Sequence, residues 1–261
     1  VLAKNYNGYK NLIKLVSNSW VDGYYMRPRT DRADLEKYHE DLIVCSACIA
    51  GEVPAKILKG DIAGAREACE WYHNLFGDDY YLELQRHKVP DDPSLLANRE
   101  AYELQQKANK VLIEFAREYG IKLVCTNDCH FEDKETAEAH DHLLCIATGK
   151  DLDDPNRMRY SKQEWFKTRE EMNEVFADVP EALSNTLEVL DKVEIYSIDH
   201  GPIMPFFPIP ESFGTEEQLR QKVSEEDLYR EFTTDENGEN QLSPEEGQKV
   251  IDRLGGYDRS E

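Results

Sequence analysis

The stretch Lys122-Leu-Val-Cys-Thr-Asn-Asp-Cys-His-Phe131 joins a short apolar run to side chains that can bind a metal ion. Leu123 to Thr126 are apolar or β-prone and predict a short buried strand with helical patterns on either side. Asp128 and His130 stand two residues apart, so extended backbone would send both side chains to one face. A carboxylate and an imidazole at the carboxyl end of a strand indicate a divalent-metal site. The alternative is that Asp128 caps the next helix and His130 packs at its start.

Two more strands are predicted upstream, and helical patterns separate all of them. Leu42–Ile49 is an apolar run that reaches Cys48, and 80–85 alternates with period two before Arg86 and His87. Helical periodicity predicts helices over 5–21, 31–38, 52–59, 61–76, 95–119, 133–148, 169–177 and 179–192. Alternation of this kind favours parallel βαβ units and an α/β fold, in which the carboxyl ends of strands carry the chemistry.

The character of the chain changes past residue 195. Residues 199–210 hold four prolines in twelve positions, which predicts an extended connector rather than a regular element. The remainder is rich in acidic side chains. Ser243 followed by Pro244 predicts the start of a capped helix that runs to about residue 254. We therefore expect one domain over 1–195 and a connector with a short helical segment over 196–261.

The charge balance bounds the partners of this chain. Its 53 acidic and 31 basic residues give a net charge of −22, a field that repels phosphate backbones. The chain alone is therefore not expected to bind DNA strongly. No run approaches the roughly 20 apolar residues that a membrane span requires, so no membrane partner is expected. The beginning at Val1, without a leader pattern, is typical of a piece of a longer protein.

Six cysteines raise the question of a structural zinc. The spacings Cys45-x-x-Cys48 and Cys125-x3-Cys129 invite a four-cysteine site. However, Cys45 and Cys125 fall in apolar strand runs, where cysteine usually packs as a small hydrophobic residue. Neither pair has the tight, glycine-containing turn of a zinc ribbon. The pattern therefore favours reduced, packed thiols of a cytoplasmic protein.

Six stretches of the chain resemble, in the same order, the alpha subunits of bacterial DNA polymerase III, the C-family replicative polymerases. These stretches are Leu2-Ala-Lys-Asn with Gly8-Tyr-Lys-Asn-Leu12, Leu42-Ile-Val-Cys-Ser-Ala-Cys48, Tyr81-Leu-Glu-Leu-Gln-Arg-His87, Cys125-Thr-Asn-Asp-Cys-His-Phe131, Ala139-His-Asp-His-Leu-Leu-Cys-Ile146 and Phe176-Ala-Asp-Val-Pro-Glu-Ala-Leu-Ser-Asn-Thr186. The resemblance implies that residues 1–195 are the C-terminal part of a polymerase-and-histidinol-phosphatase (PHP) domain. The expected fold is thus a partial PHP-type (β/α)7 barrel, with 196–261 leading towards the palm and thumb.

The same resemblance implies a metal site with up to nine ligands, of which three fall here: Cys48, Asp128 and His130. The other six, including a His-x-His pair, are expected before Val1, so zinc or manganese binding would need them. The magnesium-binding palm aspartates are expected after Glu261, and no polymerisation residue is expected within the chain. Asp141 and His142 stand at helical spacing and are expected to face solvent or a neighbour rather than a metal. Glu83 and Arg86 are expected to be structural.

Three functions remain open at this stage. The first is a polymerase fragment whose PHP domain removes mispaired 3′ ends with bound metal ions, as a proofreading exonuclease. The second is a structural PHP module that braces the polymerase and docks partners. The third is a stand-alone PHP phosphoesterase, which would need neither the proline-rich connector nor the acidic segment. The resemblance implies DNA, deoxynucleotides, the sliding clamp and other replisome subunits as partners of the full-length protein.

Overall fold

The computed structural model describes residues 1–89 and 96–205 and, beyond these, positions 212, 214, 215, 217, 218, 230, 234, 238, 239, 242, 243, 245–247 and 249. Of residues 96–98 only the backbone is described. Contacts divide the chain into two units, residues 1–200 and residues 201–261. The functional assignment of parts 1–195 and 196–261 stays a prediction.

A four-stranded sheet forms the centre of residues 1–200, in the order β1-β2-β3-β4. The strands are β1 (Leu2–Ala3), β2 (Leu42–Cys45), β3 (Tyr80–Gln85) and β4 (Lys122–Thr126). β1 pairs antiparallel with β2, whereas β2, β3 and β4 run parallel. The parallel βαβ units predicted from the sequence are therefore confirmed. The α/β class is confirmed as well, because a mixed sheet alternates with helices along the chain.

Helices connect the strands and follow them at the predicted places. They are α1 (Tyr6–Val21), α2 (Arg32–Tyr38), α3 (Glu52–Leu58), α4 (Ile62–Phe76), α5 (Leu96–Tyr119), α6 (Ala137–Thr148), α7 (Arg169–Val175) and α8 (Pro180–Asp191), with single 3₁₀ turns at Gly77–Asp79 and Lys134–Thr136. The side chains of Asn5, Asp31 and Asp61 accept a backbone hydrogen bond at the N-termini of α1, α2 and α4. Within the part of the chain that the structure describes, no helix is long and apolar enough to cross a membrane.

Both faces of the sheet are buried, as a parallel sheet requires. On one face Leu82 and Leu84 pack with Phe115 of α5 in the larger apolar cluster. On the other face Ile43, Tyr81 and Val124 form a smaller cluster with Val189 of α8 against it. The Asn185 side chain of α8 also donates a hydrogen bond of 2.7 Å to the Leu123 carbonyl. Because helices cover both faces of the sheet, the candidate functional residues lie at the ends of the strands.

The second strand is shorter than the sequence predicts. The apolar run continues to Ile49, but β2 ends at Cys45. Its hydrogen bonding to β3 continues only to the Ser46 amide, which donates to the Tyr81 carbonyl at 2.9 Å. Ala47 then adopts a positive φ of 63°, which turns the chain out of the sheet. Cys48 therefore lies in a bend after the strand and not on it.

Residues 201–261 are described in part. Residues 201–205 have no regular structure, and 206–211 of the predicted connector lie outside the described residues. The Ser243 hydroxyl accepts from the Glu246 amide at 3.4 Å, and the Glu246 carboxylate accepts from the Ser243 amide at 3.0 Å. This reciprocal pair confirms the predicted capping at Ser243. The predicted end of that helix lies outside the described residues.

Candidate functional site

The carboxyl ends of β2, β3 and β4 meet at one edge of the sheet because the three strands are parallel. Gln85 pairs in register with Thr126, so the residues that follow each strand emerge side by side. His87 follows β3 and Asp128 follows β4, while Cys48 follows β2. This edge is where the sequence places its candidate ligands, and where such folds place their chemistry.

Of the three predicted ligands, Asp128 and His130 are the two that the structure shows in contact with each other. His130 Nε2 lies 3.6 Å from Asp128 Oδ1, and both side chains are partly exposed. Asp128 adopts a φ of 45°, the left-handed region that few residues other than glycine enter. The next helical turn is capped by Asp133 in a capping box with Thr136. The alternative interpretation of Asp128 as a helix cap is therefore wrong.

Cys48 stays a predicted ligand. Its half-buried thiol lines a small cavity of about 10 Å³ with Glu83, Gln85, Gln105 and Asn109, among others. Burial, and to a lesser extent the charges of Asp128 and Glu164, raise the pKa of Tyr160. Within the described residues, no group of three or more His, Cys, Asp or Glu side chains is arranged to hold a metal ion.

The donor types nevertheless suit a divalent metal in part. Imidazole nitrogen and carboxylate oxygen are ligands that zinc and manganese accept. Two such ligands from Asp128 and His130 make part of a coordination shell, and a catalytic zinc uses three protein ligands. The residues that the structure describes therefore supply part of the ligand set of a metal site and not all of it.

An aromatic cluster surrounds the His130 ring. The ring centroid of His130 lies 4.5 Å from that of Tyr160 and 5.7 Å from that of His140. Phe131 packs on His140 from the other side, with centroids 5.1 Å apart. The helical periodicity of α6 could have suggested His140, but Tyr160 comes from a loop whose placement no sequence pattern predicts. These contacts hold the His130 ring beside Asp128.

Sequence reasoning missed a buried polar network at the same edge. Four of its side chains are at least 94% buried: His87, Gln105, Asn127 and Glu164. Each forms hydrogen bonds, either to another member of the network or to backbone close by. Burial is the main cause that lowers the pKa of His87, and a lowered pKa favours the neutral ring. Lys167 lies nearby against the Trp165 ring, and burial lowers its pKa to about 8. The contacts join segments far apart in the sequence, so local spacing carries no sign of them.

The remaining predicted residues have structural partners. Asp141 is buried and accepts two hydrogen bonds from Arg157, at 2.6 and 2.7 Å, while exposed His142 bonds its own helix at the Glu138 carbonyl. Arg86 pairs with Asp178 at 2.5 Å and donates to the Val175 carbonyl at 3.0 Å.

Glu83 points to the opposite side of β3 from Arg86 and accepts from the Thr126 hydroxyl at 2.5 Å. Burial raises the pKa of Cys45 and of Cys125 to about 11, as packed thiols show. Glu83 and both thiols therefore help to hold the sheet together, while Arg86 joins the end of β3 to the segment between α7 and α8.

The chain is similar in sequence to known proteins. Residues 1–87 match the family model described as PHP domain. The chain is 41% identical over 90% of its length to the DNA polymerase III subunit alpha of Borreliella burgdorferi, and 35% over 89% to that of Treponema pallidum. It is 32% identical over 99% to that of Deinococcus radiodurans. The chain spans about one fifth of the length of these curated relatives. The chain is thus similar to one segment of the DNA polymerase III alpha subunits, and its residues 1–87 match the PHP-domain model within that segment.

Proposed function

We propose that the chain is the PHP-bearing segment of a replicative DNA polymerase, and that polymerisation itself is performed by residues outside it. Similarity to polymerase alpha subunits over about nine tenths of the chain carries this proposal. The full-length polypeptide would then act on DNA and deoxynucleotides with magnesium in its palm, in the cytoplasm, with the sliding clamp and other replisome subunits as partners. Residues 1–195 would be the PHP part and 196–261 the connector.

Primer extension tests this proposal directly. The full-length gene product should extend a primed template with the four deoxynucleotides and magnesium, and the 261-residue chain should not. Absence of extension by the full-length product would overturn the assignment. Extension by the 261-residue chain above a mock preparation would show that the polymerisation residues lie within it.

The second part of the proposal concerns the PHP segment itself, for which we infer metal-dependent removal of 3′-terminal nucleotides. The 3.6 Å approach of His130 to Asp128 supports this inference, since the pair offers two ligands of the type that zinc or manganese takes. Cys48 is the third ligand that the family resemblance implies. Such a site needs further ligands from the longer polypeptide before it can hold a catalytic metal.

Matched variants of the full-length protein test the nuclease role. Asp128→Asn and His130→Ala should each lower removal of a mispaired 3′ nucleotide at least about 10-fold with manganese or zinc. His142→Ala is the control, because His142 is exposed and bonds only its own helix among the contacts shown. Equal nuclease activity in all variants would favour the structural alternative, in which the segment braces the polymerase.

A stand-alone phosphoesterase is the remaining alternative. Similarity to polymerase alpha subunits extends past residue 200, reaching 99% of the chain in the Deinococcus radiodurans relative. This argues against a free phosphatase, which would not share that segment. Metal-dependent hydrolysis of p-nitrophenyl phosphate by the 261-residue chain, lost in Asp128→Asn, would restore it.

A further inference from the structure

A buried polar network adjoins the turn that carries Asp128 and His130. Its members His87, Gln105, Asn127 and Glu164 are 3%, 4%, 6% and 1% exposed. Burying a polar group costs free energy unless it is hydrogen-bonded, so each bond in such a network constrains its partners. No metal-binding role accounts for these side chains, and none belongs to the predicted ligand set.

Gln105 determines which ring nitrogen of His87 carries the proton. Its Oε1 accepts from the His87 backbone amide at 2.8 Å, which leaves its Nε2 to donate to His87 Nδ1 at 2.9 Å. Nδ1 is then an acceptor and the ring proton stands on Nε2. Nε2 donates to the Asn127 carbonyl at 3.0 Å. The neutral ring thereby fixes the residue directly before Asp128.

Glu164 also fixes this turn, and its Oε1 lies 3.4 Å from His87 Nδ1. Its carboxylate accepts from the Ser161 amide and hydroxyl, at 3.0 and 2.6 Å, and from the Gln163 amide at 2.8 Å. These three bonds close the 161–164 turn. The Glu164 carbonyl then accepts from the His130 amide at 2.8 Å.

The Asn127 side chain joins the two supports. Its Nδ2 donates to the Gln163 carbonyl at 2.9 Å and to the Trp165 carbonyl at 2.7 Å. The backbone of Phe131 bridges to Trp165 in parallel fashion just beyond the turn. Asp128 therefore stands between two residues, Asn127 and His130, whose positions are both fixed by hydrogen bonds from buried groups.

We propose that His87 and Glu164 are positioning residues that hold Asp128 and His130 at ligand separation without being ligands themselves. The left-handed conformation of Asp128 costs free energy for an L-residue, so the turn needs such outside support. The proposal rests on the metal role of Asp128 and His130 stated above. It adds that the directions of the Asp128 and His130 side chains depend on the tautomer of buried His87 and on the buried carboxylate of Glu164.

Three measurements test the positioning role, the first two on the 261-residue chain and the third on the full-length protein, which supplies the further ligands. In the wild-type chain, ¹⁵N chemical shifts of the His87 ring should show the proton on Nε2. In Glu164→Gln and His87→Phe, hydrogen exchange at the His130 amide should accelerate at least about 10-fold, because its acceptor is displaced. In the full-length protein, Mn²⁺ affinity measured by equilibrium dialysis should fall by about 10-fold in both variants. Glu135→Gln is the control, since Glu135 is exposed on the 3₁₀ turn Lys134–Thr136.

The outcomes separate the positioning role from the metal role. A His87 proton on Nδ1, or unchanged His130 exchange in a folded Glu164→Gln chain, overturns the positioning role. If His87→Phe fails to fold, Glu164→Gln and the wild-type tautomer decide. Accelerated exchange, together with a full-length wild type that binds no Mn²⁺, would support positioning of the turn and contradict its metal role.

Discussion

The sheet and the edge segment that follows it, residues 127–168, are held together by different interactions. In the sheet, apolar side chains such as Tyr81, Leu82 and Leu84 are fully buried on both faces. In the edge segment, the most deeply buried groups include the polar residues Ser161 and Glu164, and their partners are hydrogen-bonded at short distances. Apolar burial is non-directional and supplies stability, whereas hydrogen bonds are directional and fix geometry. The comparison suggests that the chain separates stability from the placement of its candidate ligands.

The largest effect should come from the apolar side of this comparison. Phe115 of α5 is 1% exposed in the larger cluster, and Phe115→Ala should lower the free energy of unfolding by about 3–5 kcal/mol through lost burial and a cavity. Urea unfolding of the 261-residue chain measures this. Phe166→Ala in the edge segment is the matched control, since Phe166 is 76% exposed and should change stability by less than about 0.5 kcal/mol. Equal losses would contradict the division.

A smaller but substantial loss is expected inside the edge segment. Asp141→Asn removes the carboxylate that receives two hydrogen bonds from Arg157, whose guanidinium is itself buried. An unpaired buried charge costs about 3 kcal/mol, so stability should fall by about that amount. Thermal unfolding checks the loss, with Asp153→Asn on the exposed part of the same region as control. A loss below about 1 kcal/mol would show that the loop relaxes and exposes Arg157.

The sequence predicted the regular elements well and the edge segment poorly, for a physical reason. Periodicity is a local property, and it placed α1, α4 and α8 within two residues of their observed ends. It overextended the second strand to Ile49, because the turn at Ala47 depends on backbone conformation and not on hydrophobicity.

The two-residue strand β1 lacks a pattern long enough to read, so its antiparallel pairing with β2 was missed.

The candidate site divides in the same way. Asp128 and His130 could be predicted because they follow a recognisable strand two residues apart, and the structure brings them to 3.6 Å. The placement of Cys48 as a third ligand is still a prediction. The His87–Gln105 and Asn127–Trp165 contacts could not be predicted, since they connect residues 18 and 38 positions apart that share no spacing rule. Tertiary packing alone brings them together.

A pH-dependent effect of about 1 kcal/mol should come from the helix that covers the sheet. A hydrogen bond from Lys122, and a smaller contribution from Tyr81, lower the pKa of Glu188 to about 2. Because the folded pKa lies below the unfolded one, this stabilisation is present above about pH 4.5 and is lost as pH falls towards 2. The group is partly exposed, so Glu188→Gln should lower stability by only about 1 kcal/mol near neutral pH.

Urea unfolding near pH 7, 5 and 3 measures this dependence. The difference between Glu188→Gln and wild type should shrink between the last two conditions, where the carboxylate of the wild type begins to protonate in the unfolded chain. Glu181→Gln, at the first turn of the same helix, is the control. A difference that stays constant from neutral to acid pH would show that packing, and not the charge of Glu188, joins α8 to the sheet.

The smallest effect bears on the ligand turn itself and has the opposite sign. Asp128 has a φ of 45°, where glycine meets no steric cost and alanine meets the full one. Asp128→Gly should therefore leave the free energy of unfolding unchanged or raise it by up to about 0.5 kcal/mol, whereas Asp128→Ala should lower it by about 1 kcal/mol. At Asp153, whose φ is not positive, glycine should instead be the more destabilising of the two substitutions. If glycine destabilises position 128 as it does position 153, the turn is not strained. If glycine stabilises the chain at position 128, the aspartate there lowers stability, which is the behaviour expected of a carboxylate that serves as a metal ligand.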